Sequence, residues 1–334
     1  MKSKYQNVFF IFGLVVLIVM AYQLDFSQVW QGISHAGYWF LCVLLLWGVL
    51  YVLNTSSWYL IINSIGNEQG VCRKHNIGFW WLYKITVSAF ALNYATPGGL
   101  MGGEPYRIMS LSPKIGTERA SSSVILYVMT HIYSHFWVWL TAVPLYLITE
   151  VVTPLTYLVL PPIALICLIV IWFFMRGYRK GIAMTGMKIL SHIPLLKRWA
   201  QPFIDRNRER LDAIDRQIAA LHNQNPRTFT AAVLLEYACR ILSALEIYFI
   251  LLVIMPDVTF TRCILIYAFT TLFANTLFFM PLQLGGREGG FLMSTEGLSM
   301  TARAGIFVAL LVRVRELIWT AIGLLLIKID KKQG

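Results

Sequence analysis

Charged residues are scarce in this sequence. Asp, Glu, Lys and Arg together make up 13% of its 334 positions, whereas hydrophobic residues make up 57%. Charged residues account for about a quarter of an average soluble domain, so this composition excludes an ordinary soluble protein. The balance predicts an integral membrane protein in which nearly the whole chain lies in lipid.

Several motifs of catalysis and cofactor binding are also missing. The five cysteines are scattered without a CxxC pair, which indicates neither a disulfide framework nor a metal site. No GxxxxGK[ST] loop is present, so direct use of ATP is not expected. His131 and His135 share a helix face but have no third ligand nearby in the sequence, so we expect core or cavity-lining histidines and no metal or other cofactor.

Apolar stretches near the roughly 20-residue spanning length recur along the chain. They lie at 8–24, 38–63, 78–96, 120–148, 153–175, 228–255, 260–280 and 304–328. The pattern predicts an all-α polytopic membrane protein with a single membrane domain over 1–334. The half at 1–175 and the half at 228–334 are separated by a polar loop at 176–227.

The polar loop at 176–227 carries much of the net positive charge. It holds eleven Lys or Arg against four acidic residues. Apolar residues from Phe203 to Leu221 recur near helical spacing, which indicates a basic amphipathic helix on the anionic cytoplasmic leaflet. A solvated helix that only sets orientation is an equally good interpretation. Basic and aromatic residues are not interleaved as in a nucleic-acid module, so no nucleic-acid partner is expected.

The distribution of Lys and Arg predicts the orientation of the chain. Both termini, the loop around Arg73 and the 176–227 loop are basic and should be cytoplasmic, in a protein of the inner membrane. The connections near Asp25, Glu150 and Asp257 have little or no basic charge and should lie outside. Stretch 78–96 must therefore leave from and return to the cytoplasmic side, and stretch 260–280 must do the same from outside. About six full transmembrane helices plus two oppositely oriented re-entrant broken helices form the predicted inverted repeat.

The two re-entrant stretches lead into glycine-rich segments of similar spelling. Glycine and proline interrupt helices and expose backbone amides, which is typical of broken helices at a transport site. The repeated GxxxG spacing also fits simple close packing of helices. The candidate substrate-binding residues are Asn93, Pro97, Gly98, Gly99, Gly102, Gly103, Glu104 and Arg107 in the first segment, and Asn275, Gly285, Gly286, Arg287, Glu288 and Gly289 in the second.

The segment from Asn93 to Arg107, with Pro281 to Gly289, resembles the flippase-like membrane domain of the lysylphosphatidylglycerol synthase family. The likeness covers almost the full chain. It implies a translocase of lipids or lipid-linked groups, which some members fuse to a cytosolic aminoacyltransferase domain. We expect that domain to be absent here, because the chain ends at Gly334. Leu282 and Gln283 replace part of the second motif's glycine-rich stretch.

Ionisable residues elsewhere in apolar stretches extend the predicted polar pathway. Arg313 and Glu316 share a helix face and join the candidate binding residues, whereas Arg315 lies about 160° round from Arg313. Only one of the two arginines should then face a cavity. Glu236 and Arg240 are four residues apart, so we expect them to neutralise each other as an ion pair.

These features predict a lipid flippase rather than an enzyme. Arg107, Arg287 and Arg313 would bind a headgroup phosphate, and Glu104 and Glu288 would complement an amino group. The expected partners are anionic or zwitterionic phospholipids, a second copy of the chain and a separate lipid-modifying enzyme. A membrane-embedded transferase acting on lipid-linked substrates, or a secondary transporter of a small anion, is the alternative.

Overall fold

The computed structural model describes residues 26–65, 77–95, 102–180, 226–276 and 286–330, together with isolated positions at 14–18 and between 191 and 216. The described residues form ten helices. These are α1 (Phe26–Ala36), α2 (Tyr38–Ser64), α3 (Phe79–Ala95), α4 (Gly103–Ile115), α5 (Thr117–Thr149), α6 (Pro154–Lys180), α7 (Pro226–Leu251), α8 (Phe260–Thr276), α9 (Gly286–Gly297) and α10 (Ala302–Asp330). The all-α membrane class is thereby confirmed.

Seven of the predicted apolar stretches coincide with long helices of the structure. Three described helical segments are long and apolar enough to cross a membrane, namely Tyr38–Ser64, Thr117–Thr149 and Thr156–Arg176. The number of full spans therefore stays a prediction. The first stretch, 8–24, lies almost wholly outside the described residues, and so does most of the 176–227 loop. Within that loop Ile204 and Leu211, seven positions apart, are buried.

Two helix pairs lie where the sequence predicts the interrupted elements. The first helix pair is α3 with α4, and the second helix pair is α8 with α9; the two helices of each pair pack on each other. The described parts of α3 and α8 have 17 residues each, which corresponds to about 25 Å and to the lower limit for a spanning helix. The connections 96–101 and 277–285 lie outside the described residues, and they include Pro97, Gly98, Gly99 and Gly285.

The packing of the helices has the same pattern in both halves. Helix α2 packs on α7, α3 packs on α10, and α8 packs on α5. Helix α4 also packs on α5 as α9 packs on α10, and α2 contacts α3 as α7 contacts α8. Exchanging α2, α3, α4 and α5 for α7, α8, α9 and α10 therefore reproduces the same set of contacts, as a two-fold structural repeat requires.

Each helix pair is buried in its own apolar cluster. Leu82 of α3 and Leu111 of α4 belong to one cluster, whereas Leu265 of α8 and Phe291 of α9 belong to the other. Burial of apolar side chains on this scale fixes the helices against their neighbours. The two pairs are thus held firmly on either side of the residues that form the site.

Candidate functional site

A charged cavity of about 620 Å³ lies among helices of both halves. Five arginines, four glutamates and two histidines line it, from helices α4, α5, α7, α9 and α10. Ionisable groups at such depth persist only where they are paired or hydrated. Seven of the predicted binding residues line this cavity: Asn93, Glu104, Arg107, Asn275, Arg287, Arg313 and Glu316.

The remaining predicted residues do not line the cavity in the described part of the chain. Gly102, Gly103, Gly286, Glu288 and Gly289 lie at the starts of α4 and α9, beside the lining residues. Asn275 lines the cavity, but its side-chain amide donates to the carbonyl of Thr271 one turn earlier at 2.7 Å. The side chain of Asn275 therefore satisfies a backbone carbonyl in the last turn of α8.

Asn93 joins the two helices of the first pair. Its Nδ2 donates to Glu104 Oε1 at 3.0 Å, and its Oδ1 accepts from the backbone N–H of Gly103 at 2.8 Å. The amide thus caps the start of α4 and positions the carboxylate at the cavity wall. Asn93, one of the candidate binding residues, thus holds the end of α3 against the start of α4.

Arg107 lies one turn beyond Glu104 and is almost fully buried, with 1% of its surface exposed. Its guanidinium carbon lies 4.5 Å from the ring centre of Tyr127, 5.2 Å from that of Phe90 and 5.3 Å from that of Trp58. Its Nη1 is 3.8 Å from Glu104 Oε1. The aromatic rings stabilise the cation through cation–π attraction, which is worth about 2 kcal/mol when the cation is desolvated.

The second helix pair contributes an ion-pair network. Arg287 contacts Glu316, and Arg313 contacts Glu288. Arg313 Nη1 also donates to Glu316 Oε2 at 3.4 Å, as the shared helix face predicts. Charge-assisted contacts of this kind tie the start of α9 to the middle of α10.

The expectation that only one of Arg313 and Arg315 faces the cavity is wrong, because both line it. Arg315 projects from another side of α10, where Nε and Nη2 donate to the two carboxylate oxygens of Glu246 at 2.7 and 2.9 Å. Its guanidinium also lies 3.8 Å from the ring centre of Trp47. The cavity extends round α10 as far as Glu246, so helical angle alone could not exclude either residue.

The predicted ion pair between Glu236 and Arg240 is also wrong. Glu236 Oε2 is instead 2.7 Å from His131 Nδ1. Arg240 donates to Ser134 Oγ at 2.5 Å and to the carbonyl of His131 at 2.6 Å. Partners on α5 therefore outcompete the partner within α7, because α5 packs directly on that face of α7.

Several cavity-lining ionisable residues were not among the predicted binding residues. His131, His135, Glu236, Arg240 and Glu246 all line the cavity. Their signal was present, since each is an ionisable residue inside an apolar stretch. Within the described ranges, no three His, Cys, Asp or Glu side chains cluster as metal ligands would.

One flank of the cavity is apolar and reaches the outer surface. Ile166 of α6 lines the cavity although 58% of its surface is exposed. Phe136 of α5 and Leu272 of α8 line the same flank and are partly buried. In the most apolar window of α6 only 11% of the residues are buried, so this helix faces outward over most of its length. The lining of the charged cavity therefore includes an apolar residue of the outward-facing side of α6.

One comparison with known proteins identifies a family. The family model described as the lysylphosphatidylglycerol synthase TM region matches residues 8–323, which is nearly the whole chain. No curated protein and no solved structure matches the chain. The charged cavity, the two helix pairs and their connections all lie within the matched residues. The chain therefore belongs to the family of lysylphosphatidylglycerol synthase transmembrane regions.

Proposed function

We propose that the protein is a flippase that moves a phospholipid, or a lipid-linked group, between the leaflets of the inner membrane. The observation that carries the proposal is the charged cavity with its apolar flank. A headgroup passes through the polar interior while the acyl chains stay against α5, α6 and α8. This arrangement avoids the several kcal/mol that an uncompensated polar headgroup costs in hydrocarbon.

The lining supports a headgroup that carries both signs of charge. Arg107 Nε and Nη2 are buried and have no hydrogen-bond acceptor among the described residues. Glu104 Oε2 and Glu236 Oε1 are likewise buried with no donor in the same part of the chain. Donors for a phosphate and acceptors for an ammonium group therefore line one cavity, as a zwitterionic or aminoacylated phospholipid requires.

The two helix pairs support alternating access. In the proposed topology each pair is a re-entrant broken helix, the first entering from the cytoplasm and the second from outside. Both termini are then cytoplasmic. Opposite entry makes the two halves an inverted repeat, and rocking of one half against the other exposes the charged cavity to each leaflet in turn.

A transporter of small soluble anions would use a cavity closed on its flanks. Ile166 is exposed and lines the cavity, which favours the lipid substrate. A pathway for a soluble anion would instead be enclosed by protein on all sides. A membrane-embedded transferase is the second candidate. The contact of His131 with Glu236 favours it, because a carboxylate that orients a histidine is typical of a general base.

The test is translocation in proteoliposomes that hold a fluorescent phospholipid in both leaflets. A membrane-impermeant reductant quenches only the outer leaflet. We expect the wild-type protein to make the inner pool accessible, whereas Arg287→Ala and Glu288→Ala abolish this activity and still fold, because each releases a contact that ties the start of α9 to α10 at the cavity wall. Arg262→Ala is the matched control, because Arg262 pairs with Glu150 at 2.8 Å and does not line the cavity.

Uptake of a soluble phosphate ester without phospholipid movement would support the anion transporter instead. A changed lipid mass after incubation, with His131→Gln inactive, would support the transferase. Equal phospholipid movement in protein-free vesicles and in vesicles with the wild-type chain would contradict the proposal.

A further inference from the structure

The arginines of the charged cavity differ in how fully they are paired. Arg287, Arg313 and Arg315 lie in the second half, and each contacts at least one glutamate. Arg315 shows the most complete pairing, since its Nε and Nη2 edge binds both oxygens of Glu246. Arginines held in this way are fixed parts of the wall, because a phosphate would have to displace a buried carboxylate to reach them.

Arg107 presents the same Nε and Nη2 edge without such a carboxylate. Both nitrogens are buried and find no acceptor among the described residues. Its nearest carboxylate, Glu104, lies at 3.8 Å from the opposite nitrogen, Nη1. Two adjacent N–H groups on a planar edge match two oxygens of a phosphate or carboxylate.

The aromatic rings around Arg107 hold that edge in place. Trp58, Phe90 and Tyr127 each have the guanidinium carbon within 5.3 Å of the ring centre. Ring faces stabilise a cation but accept few in-plane N–H bonds, so they orient the guanidinium and leave its edge unpaired. The Nε and Nη2 edge of Arg107 is thus held in place before an anion binds, which lowers the entropic cost of binding.

A second arginine reinforces this side of the cavity. Among the described residues Arg240 donates to neutral acceptors, which include Ser134 Oγ, the carbonyl of His131 and the hydroxyl of Tyr267, and it has no ion pair with a described carboxylate. His131 links the two arginines, because its ring lies 5.8 Å from that of Phe90 and 5.9 Å from that of Tyr127. The positive charge of Arg240 therefore adds to the attraction for an anion near Arg107.

We propose that Arg107 is the residue that binds the phosphate of the transported lipid, and that Arg287, Arg313 and Arg315 clamp the wall and do not touch it. This assignment rests on the proposed flippase function and divides the cavity into a substrate side and a structural side. It replaces the expectation that Arg287 and Arg313 share the phosphate with Arg107.

The test measures binding by the full chain in phosphate-free detergent, using isothermal titration calorimetry. The probes are dihexanoyl phosphatidylethanolamine and dihexanoylglycerol, which has the same chains without a phosphate. Loss of a charge-assisted bidentate contact weakens binding by roughly 10- to 100-fold. We expect Arg107→Gln to show this loss for the phospholipid and no change for dihexanoylglycerol.

Arg107→Lys guards against failure of the glutamine variant to fold. It keeps a cation among the rings but removes the planar fork, so the phospholipid should still bind at least about tenfold more weakly than to wild type. Arg262→Gln and Arg287→Gln should keep the wild-type affinity within about threefold, a margin of well under one tenfold step. Phospholipid affinity equal to wild type in either Arg107 variant, or a loss confined to Arg287→Gln, would overturn the assignment.

The outcome separates this inference from the proposed function. Lipid movement by the wild-type chain with unchanged affinity in the Arg107 variants removes the phosphate site and leaves the flippase. Phosphate-dependent binding at Arg107 without lipid movement in proteoliposomes removes the flippase and leaves the site.

Discussion

Buried charged side chains form a network that connects helices distant in sequence. Glu246 and Arg315 come from α7 and α10, and their side chains are 6% and 2% exposed. A buried ion pair repays its desolvation only when its geometry is good and both partners are present. Loss of one partner is therefore far more damaging than loss of both.

We predict that Arg315→Met destabilises the protein by about 3–5 kcal/mol, because Glu246 then stays buried without its partner. The double variant Arg315→Met with Glu246→Leu should recover most of that loss. Chemical or thermal unfolding of the purified protein in detergent measures both effects.

Arg262→Met is the matched control for this prediction. Arg262 makes a similar contact with Glu150, but its side chain is 43% exposed. Exposed pairs are worth about 0–1 kcal/mol, so the change should be small. Equal destabilisation in the Arg315 and Arg262 variants would contradict the view that burial decides the cost.

Sequence reasoning found the buried charges and the local contact of Arg313 with Glu316, but not the partners that come from other helices. Arg287, Arg313 and Glu316 were identified from the glycine segment and the apolar stretch alone. The contact of Glu236 with His131 joins residues 105 positions apart, and that of Glu246 with Arg315 joins residues 69 positions apart. Only the packing of helices decides such pairs, and short spacing along one helix predicted the wrong partner for Glu236.

The first helix pair depends on a close approach between α3 and α4. A Cβ atom added to Gly103 would lie 2.3 Å from the carbonyl oxygen of Ala89 and 2.7 Å from Asn93 Oδ1. Backbone at that distance cannot move without separating the two helices. Close packing of helices, the alternative role of the glycine segment, therefore applies to Gly103. It does not conflict with a role of the neighbouring residues in the cavity.

We predict that Gly103→Ala destabilises the protein by about 1–3 kcal/mol through overpacking. It should also reduce lipid movement, because Asn93 and Glu104 lose their positions. Gly297→Ala is the matched control, since an added Cβ at Gly297 meets no atom within 4 Å. Unfolding transitions and the proteoliposome assay measure the two effects, and an intact transition for Gly103→Ala would contradict the close approach.

Helix positions were largely readable from the sequence. The apolar stretch 38–63 became α2 at Tyr38–Ser64, and the stretch 304–328 became α10 at Ala302–Asp330. The predicted interruptions by glycine and proline fall in 96–101 and 277–285, outside the described residues, and stay a prediction. Composition does not show equally well which helices cross the membrane fully. Helix α10, for example, carries Arg313, Arg315 and Glu316 near its middle, and these charges lower its mean hydropathy.

The whole molecule is a pair of halves that make matching contacts. Helix α3 packs on α10 as α8 packs on α5, and α2 packs on α7 between them. The sequence anticipated two halves from the charge of the loops and the repeated glycine segments. It could not show that each half supplies a helix to the other half's pair, because such contacts join residues more than a hundred positions apart.

We predict that the two helix pairs open to opposite sides of the membrane. Lys114→Cys, in the last turn of α4, should react with an impermeant maleimide only from the cytoplasm. Asp257→Cys, before the second pair, should react only from outside, as its poorly basic connection predicts. Labelling of oriented vesicles before and after permeabilisation measures this, and reaction of both positions from one side would contradict the inverted arrangement.

The matching contacts of the two halves have a consequence for energetics. Each interface among α2 to α5 and α7 to α10 has a counterpart of the same kind, so in the proposed alternating-access cycle a shape in which the halves exchange conformations keeps the same set of helix contacts. A modest difference in free energy then suffices to favour one shape over the other. The chemical differences between the halves then decide which shape is favoured. In the first half aromatic rings surround Arg107, whereas in the second half carboxylates bind Arg313.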